Sequence, residues 1–403
     1  MGQSALRSRI VVASAAALAC GACLVSLEGL TGGNGGAGGD AGMQPGDETT
    51  ATDLDANGTL ADAGGDSGDG RVACAAGGAL GDNYNCGICG RACAGNSCAG
   101  NRCSVELVYD GVDGGGALAV ASNGTNVYFS TPGQIRRQPL PLGTTPTVTT
   151  EYMSAEAVDL LLAPDALYDA WGPWMMRRDL SSLGASYYGY LNGQRSTTTL
   201  ARRVTPATIY CGQTNTGGTG LLVIDSSGNG SLYANNADVT YTWGVAFREP
   251  YLFWTQANSG VVRRSNVNVM PTAYDTMTTL VTSPRGIAVD NDYVYVVSQT
   301  GPNASDPGSV LRFAQSSWRG DAGAPTLLAG GQSMPEHLVE NGDYVYWLNR
   351  GVSFSDGAIL RAKKDGSEPP LLLAGGIAQP TRIAVDGTHI YWASANGVHR
   401  TTR

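Results

Sequence analysis

One pattern recurs seven times between Gly115 and Arg403, and it limits the possible folds of the chain more than any other feature. Each copy contains a short apolar strand, a polar turn and a second strand with an aromatic residue at the centre of its core. The steps between the central core residues are 40, 42, 43, 42, 51 and 45 residues. The seven cores are Val127-Tyr128-Phe129, Leu167-Tyr168-Asp169, Ile209-Tyr210-Cys211, Leu252-Phe253-Trp254, Val294-Tyr295-Val296, Val345-Tyr346-Trp347 and Ile390-Tyr391-Trp392.

A repeat of this length that is filled with short strands is typical of a β-propeller, in which each repeat is one four-stranded blade. We therefore predict an all-β, seven-bladed propeller over residues 104–403. Six blades is the alternative, because Asp169 and Cys211 replace the second aromatic residue in repeats two and three. Residues 104–110 form a strand outside the repeats, and we expect it to complete the last blade and close the ring.

The charge of the chain is concentrated in one segment. The net charge is −9, and residues 31–70 contain eight acidic residues with no Lys or Arg. The remainder is therefore nearly neutral and shows no basic face, so we predict no nucleic-acid partner. Charged residues make up only 15% of the chain and glycines number 57, as expected where many tight turns connect short strands.

Residues 1–23 are predicted to be an export signal. Two arginines precede an apolar run over residues 10–19, which has the length of a signal-peptide core and is too short to cross a bilayer. Small residues then lead to Cys20 and Cys23, and this run resembles a bacterial lipobox. The resemblance implies acylation of Cys23 or Cys20 and attachment to a membrane through the lipid. Plain secretion after cleavage is the alternative, and neither outcome is cytoplasmic.

Residues 24–72 are predicted to be a disordered linker. They consist largely of Gly, Ala, Asp and Thr, and such a segment cannot bury enough apolar surface to offset its ordering entropy. Asp53, Asp55 and Asn57 have the spacing that opens an EF-hand loop, but Gly64 stands where the bidentate Glu is required. We therefore favour a flexible tether over a calcium site.

Residues 73–103 are predicted to be a small disulfide-rich segment. An even number of closely spaced cysteines in an exported chain indicates three disulfides, with the pairing left open. The alternative is zinc, because Cys86 and Cys89 have the spacing of a half-site, but a structural zinc would leave two of the six thiols unused. The six cysteines are Cys74, Cys86, Cys89, Cys93, Cys98 and Cys103.

Two parts of the sequence, the cysteine-rich run and the aromatic repeats, resemble known families. The run from Asn85 to Cys103 resembles the cysteine-rich segment named after stigma-specific plant proteins, which recurs in predicted lipoproteins of myxobacteria between a Gly-rich tether and a larger domain. This resemblance implies a rigid spacer or adhesion knob rather than a reaction. Phe253-Trp-Thr-Gln256, Tyr346-Trp-Leu-Asn349 and Tyr391-Trp-Ala-Ser394 resemble the Y-W-T-D repeats of LDL-receptor-type propellers, although they lack the Asp and that family has six blades.

The candidate binding site is the mouth of the propeller channel. Aligning repeats on Pro284-Arg-Gly-Ile, Pro335-Glu-His-Leu and Pro380-Thr-Arg-Ile predicts which side chains lie there. A mixed ring of Arg, Glu, His and Trp could hold a sugar, a peptide or an anionic small molecule. The alternative is that these positions are polar only because they are exposed, with Arg285 and Glu336 simply paired. The predicted residues are Glu156, Trp171, Trp174, Arg202, Trp243, Arg285, Glu336, His337 and Arg382.

Catalytic motifs are sparse. His337 and Glu336 are weak candidates, because some bacterial propeller lyases use a His and an acid with a metal at this location. A single histidine makes a poor metal site, and no nucleophile elbow, H-E-x-x-H or phosphate loop occurs. We predict no metal and no cofactor, and we expect Cys211 to be a buried, inert thiol.

Together these features predict an exported, lipid-anchored propeller at the cell envelope. Its predicted function is non-covalent recognition of a peptide, a protein or a glycan at the channel mouth. A propeller lyase or hydrolase is one alternative, and a structural surface scaffold without a small ligand is the other.

Overall fold

The computed structural model describes the propeller region with a few gaps at loops. The described residues are 98–99, 102–111, 115–148, 157–171, 174–190, 197–213, 220–233, 241–269, 274–278, 281–299, 307–316 and 325–403. The predicted signal, the predicted linker and four of the six clustered cysteines lie outside them. No helix in this part of the chain is long and apolar enough to cross a membrane.

The chain enters the described region through a small hairpin, β1 (Cys98–Ala99) and β2 (Arg102–Cys103). The two strands are antiparallel, with Cys98 opposite Cys103. Cys103 is buried and disulfide-bonded. The three-disulfide pairing of the whole segment stays a prediction.

Seven four-stranded antiparallel sheets follow, each running from an inner to an outer strand. Blade 1 contains β4 (Ala119–Ser122), β5 (Asn126–Thr131), β6 (Gln134–Pro139) and β7 (Thr147–Val148). Blade 2 contains β8 (Ala157–Leu162), β9 (Leu167–Trp171), β10 (Trp174–Arg178) and β11 (Ala185–Tyr190). Blade 3 contains β12 (Thr197–Arg203), β13 (Thr208–Gln213), β14 (Leu221–Ile224) and β15 (Gly230–Leu232). Blade 4 contains β16 (Thr242–Arg248), β17 (Tyr251–Gln256), β18 (Val261–Asn266) and β19 (Asp275–Thr278). Blade 5 contains β20 (Pro284–Val289), β21 (Tyr293–Gln299), β22 (Pro307–Ala314) and β23 (Thr326–Ser333). Blade 6 contains β24 (Pro335–Asn341), β25 (Tyr344–Asn349), β26 (Gly357–Lys363) and β27 (Leu371–Ile377). The prediction of seven blades is confirmed.

Blade 7 is completed by the strand that precedes the repeats. Its strands are β28 (Arg382–Val385), β29 (His389–Ser394), β30 (Gly397–Thr402) and β3 (Glu106–Asp110), in that order from the inside. β3 runs antiparallel to β30, and the Glu106 carboxylate accepts a hydrogen bond from Arg400 Nε at 2.7 Å. The predicted closure is confirmed, and it pairs the edge that β30 would otherwise expose.

The second strand of each blade explains the repeated aromatic cores. Both faces of a blade pack against neighbouring blades, so this strand is buried on both sides and its sequence is almost continuously apolar. Trp254, Trp347 and Trp392 are fully buried in it. The hydroxyls of Tyr295 and Tyr391 donate to Asp290 and Asp386 at 2.8 Å, which fixes this strand to the turn after the inner strand.

The two degenerate repeats still form blades because other interactions replace the missing aromatic rings. In blade 2 the Asp169 carboxylate is buried and pairs with Arg178, with Arg178 Nε at 2.6 Å from Asp169 Oδ1. In blade 3 Cys211 carries a free, buried thiol that packs with Tyr168 and Leu222. Burial raises the pKa of this thiol, which favours the unreactive protonated form.

Adjacent inner strands approach closely around the channel. A Cβ atom on Gly244 would lie 2.5 Å from the carbonyl oxygen of Arg285 in the next blade, so only glycine fits there. Hydroxyl groups connect the same neighbours, since Thr255 Oγ1 donates to the Arg285 carbonyl at 2.6 Å. One blade earlier, Thr199 Oγ1 accepts the Val245 N–H at 2.9 Å.

Replacing Arg178 with Met removes one partner of a fully buried ion pair. We expect the free energy of unfolding to fall by about 3–5 kcal/mol, because the Asp169 carboxylate loses its counter-charge. Urea denaturation measures the change. Arg177→Met is the control, since its ion pair with Asp165 lies at the surface and should contribute less than about 1 kcal/mol. Equal destabilisation by both variants would contradict this account of blade 2.

Replacing Gly244 with Ala should force two inner strands apart. The obstructing atom belongs to the backbone, so we expect a loss of about 1–3 kcal/mol in the free energy of unfolding. Gly387→Ala is the control, because a Cβ there meets nothing within 4 Å. Thermal denaturation of both variants tests the packing, and a stable Gly244→Ala protein would argue against it.

Candidate functional site

The register of the first two strands defines equivalent positions at the channel mouth. Thr242, Pro284 and Pro335 each pair with the last residues of the second strand in their blades. The residue that follows each of them is half-buried at the mouth end of the inner strand. In blades 1 to 7 this position holds Leu118, Val158, Thr198, Trp243, Arg285, Glu336 and Thr381. The large polar and aromatic side chains are therefore confined to blades 4 to 6.

The entry turns of blades 4 to 7 share an unusual backbone conformation. The residue two before each of these positions has a positive φ, with values of 56° at Tyr241, 47° at Ser283, 50° at Met334 and 43° at Gln379. Each such non-glycine residue costs on the order of 1 kcal/mol or more, and strain of this kind clusters at functional sites. The Met334 carbonyl accepts the Arg350 N–H at 2.9 Å, so the strained turn is fixed by the loop after the second strand.

Trp243 and Arg285 form a stacked pair across blades 4 and 5. The guanidinium carbon of Arg285 lies 3.9 Å from the centroid of the Trp243 ring. Arg285 also donates a long hydrogen bond of 3.4 Å to Gln299 Oε1. Burial lowers the pKa of Arg285, the Glu336 charge acts in the opposite direction, and the positive charge of Arg350 adds to the lowering.

Glu336 occupies the equivalent position in the next blade and lines a cavity over blades 6, 7 and 1. Its carboxylate lies 3.5 Å from Arg350 Nη1, and no ion pair joins it to Arg285 among the described residues. Pairing with Arg285, the alternative raised by the sequence, is therefore not found. The cavity has a volume of about 350 Å³ and is lined by Leu118, Glu336, Arg350 and Arg382 among others.

Arg382 crosses the channel from blade 7. Its Nε lies 3.3 Å from the Asp159 carboxylate of blade 2, and its guanidinium also donates to the Thr198 carbonyl of blade 3. Burial raises the pKa of Asp159, while Arg382 and the Leu200 N–H act against that shift. Asp159 thus has a structural role, because it bonds both the crossing arginine and the next inner strand.

His337 lies in a second cavity, inside the channel. This cavity has a volume of about 330 Å³ and is lined by inner strands of blades 2 to 6, including Asp159, Thr199 and His337. His337 Nδ1 is buried without a hydrogen-bond partner. Successive residues of a strand point to opposite sides, so His337 faces the channel while Glu336 faces the mouth cavity. No group of three metal-type ligands occurs among the described residues.

Other predicted mouth residues have different placements. Arg202 pairs in register with Ile209, four residues beyond the mouth position, and it forms an ion pair with Asp165 at the opposite end of the blade. Its predicted place at the mouth is wrong, because blade 3 lacks the proline that marks the register and has an irregular pairing between Thr197 and Leu200. Glu156 lies outside the described residues.

The two predicted tryptophans of blade 2 lie at the mouth end of their strands. Trp171 ends β9 opposite Ala157, and only its backbone is described. Trp174 is 43% exposed, and its ring contacts Tyr187 of the outer strand at 5.6 Å. The role of Trp174 in ligand binding stays a prediction.

Sequence reasoning missed Arg350, Asp159 and Gln299. Arg350 directly follows the second strand of blade 6, in a loop that the alignment had already assigned to the mouth, so it could have been found. Asp159 and Gln299 act through contacts that no local pattern marks.

Comparison with known proteins supports the fold. No protein-family model and no curated protein matches the chain. Similar solved structures include virginiamycin B lyase from Staphylococcus aureus, at 15% identity over 74% of this chain and 99% of that chain, with a TM-score of 0.57. They also include hydrazine synthase from Kuenenia stuttgartiensis (14%, 72% and 97%, TM-score 0.56) and the computationally designed Ika8 protein (12%, 74% and 100%, TM-score 0.52). At these identities the likeness concerns the propeller fold alone.

The environment of His337 makes a prediction about acid stability. Burial lowers the pKa of His337 well below its usual value, and Arg382 acts in the same direction. The unfolded chain takes up a proton near pH 6.5 that the folded state does not bind, so stability falls as the pH drops below that value. We therefore expect stability to fall between pH 7 and pH 5, over the range in which the histidine of the unfolded chain becomes protonated.

His337→Gln should remove most of this pH dependence in urea denaturation at the two pH values. His389→Gln is the control, because His389 is only half-buried and its pKa is less strongly lowered. An unchanged pH dependence in His337→Gln would show that the histidine is protonated in the folded state.

Proposed function

We propose that this chain is a binding module that recognises a peptide, a protein or a glycan non-covalently at the mouth of its propeller. The observation that carries the proposal is the mouth itself, a concave surface with a cavity of about 350 Å³ beside the half-buried side chains of blades 4 to 6. Ligand sites combine such a cavity with a few fixed polar groups. The strained entry turns support the same location.

The mouth side chains are held before any ligand arrives. Arg285 is stacked on Trp243, Glu336 is within 3.5 Å of Arg350, and Arg382 is bonded to Asp159. Preorganised side chains lose little conformational entropy on binding, which favours affinity. This arrangement suits recognition of a ligand whose polar groups match fixed positions.

Binding is favoured over a lyase or hydrolase activity by the direction of two side chains. A reaction that uses His337 with Glu336 would need both groups at one substrate, whereas they line separate cavities. His337 also has its pKa lowered by burial, and no third metal-type ligand accompanies it among the described residues.

The proposal includes export and a lipid anchor at Cys23 or Cys20, which would hold the propeller at the cell envelope. Support comes from the apolar run, the following cysteines and the Gly-rich segment 24–72. A rigid spacer of residues 73–103 would then join the tether to the propeller, with its β2 strand beside β27 of blade 6.

A thermal-shift screen of the full chain against saccharides, peptides and cell-wall fragments tests the proposal. A ligand at a hundred times its Kd should stabilise the folded state by about 2.7 kcal/mol. We expect Trp243→Ala and Glu336→Gln to reduce that shift, because both remove mouth contacts. Glu249→Gln is the matched control, since Glu249 pairs with Arg203 at the opposite end of the ring.

If the ligand raises the melting temperature of both mouth variants as much as that of the wild type, the ligand site lies elsewhere than the mouth. If no ligand stabilises the protein, and cell-surface attachment depends on residues 73–103 alone, the chain is a scaffold rather than a binding module.

A further inference from the structure

Arg285 is a partly buried cation without an acidic partner among the described residues. Its contacts are the Trp243 ring and one hydrogen bond of 3.4 Å to Gln299 Oε1. Its Nε is buried and donates to nothing. The acid whose charge acts on it is Glu336, whose carboxylate lies 3.5 Å from Arg350 Nη1.

Three other arginines that are largely shielded from water have carboxylate partners. Arg178 pairs with Asp169 in blade 2, Arg382 with Asp159 across the channel, and Arg400 with Glu106 in blade 7. Removing an arginine from water without a counter-charge is unfavourable. Arg263, which stacks on Tyr274 and has buried Nε and Nη1 atoms without partners, shares this state, but it lies on the third strand of blade 4, whereas Arg285 lies at the mouth.

The groups left without partners around Arg285 are hydrogen-bond donors. Arg285 Nε and the amide nitrogen Gln299 Nε2 are both buried and unpaired. Their missing partner is consequently an acceptor. The ring of Trp243 fixes the plane of the guanidinium, and a fixed, planar guanidinium suits bidentate bonding to a carboxylate.

We propose that Arg285 binds a carboxylate of an acidic peptide segment at the propeller mouth. This inference rests on the proposed function and names the ligand class of that site. The negative charge of Glu336 opposes binding of a dianion such as phosphate more strongly than binding of a single carboxylate. A peptide also brings backbone N–H donors, and Asn349 Oδ1 is a buried acceptor without a partner at the same end of blade 6.

An array of random hexapeptides, probed with the labelled full chain, tests the proposal. We expect bound sequences to be enriched in Asp and Glu. In Arg285→Gln the enrichment should disappear, and binding of the best acidic peptide should weaken about tenfold or more. Arg285→Lys should recover only part of the affinity, because an ammonium lacks the bidentate fork. Arg248→Gln, which alters an exposed arginine bonded to Asn291 at the opposite end of the ring, should bind like the wild type.

Thermal denaturation of the unliganded variants gives a second, independent readout. Arg285→Met should leave the Tm unchanged or raise it, because it removes an unpaired cation, whereas Arg178→Met should lower the Tm. A fall in Arg285→Met as large as that in Arg178→Met would reveal an internal acidic partner and overturn the proposal.

The array outcomes separate this inference from the proposed function. Binding without acidic enrichment that is lost in Glu336→Gln would keep the mouth as the site and overturn the role of Arg285. Acidic enrichment that survives every mouth variant would overturn both. Absence of peptide binding, or Arg285-dependent binding of oligogalacturonate in its place, would overturn the peptide assignment.

Discussion

The pairing of β3 with β30 is the constraint on which the rest of the propeller depends. A linear array of seven repeats would expose a strand edge at each end, and this pairing instead builds the last blade from both ends of the repeat region. Blade 7 is then fixed to blade 1, where Ser122 Oγ donates to Asp386 at 2.9 Å. Only a closed ring lets Arg382 of blade 7 reach Asp159 of blade 2, so the division between mouth and channel also follows from closure.

Both the packing of the ring and the geometry of the candidate site depend on the close spacing of the inner strands. Gly244 and Gly286 allow neighbouring strands to approach where a Cβ would meet backbone atoms. The residues directly before them are Trp243 and Arg285, which that approach brings into stacking contact at 3.9 Å. A sequence that kept both side chains but replaced the glycines would separate the blades and with them the stacked pair.

The sequence predicts those features that depend on local period, and it fails where contacts span blades. Blade number and closure were predictable, because strand spacing and the unmatched strand at 104–110 both appear in the sequence. Arg285 and Glu336 were placed at the mouth because a proline precedes each and fixes the register. Arg202 was misplaced because blade 3 offers no such marker. The contact between Arg382 and Asp159 joins residues 223 apart and has no local pattern.

The two ends of the ring can be compared through the partners of individual basic side chains. At the end away from the mouth, Arg203 pairs with Glu249, and Lys364 lies 2.9 Å from Asp290 and 2.6 Å from Glu340. The mouth instead combines four strained entry residues with Arg285, which has no carboxylate partner among the described residues. Local rules of stability are broken in natural proteins chiefly where function requires it. Among the described residues, four of the five non-glycine residues with a positive φ lie at the mouth together with Arg285, and this shared location supports the binding surface that we propose there.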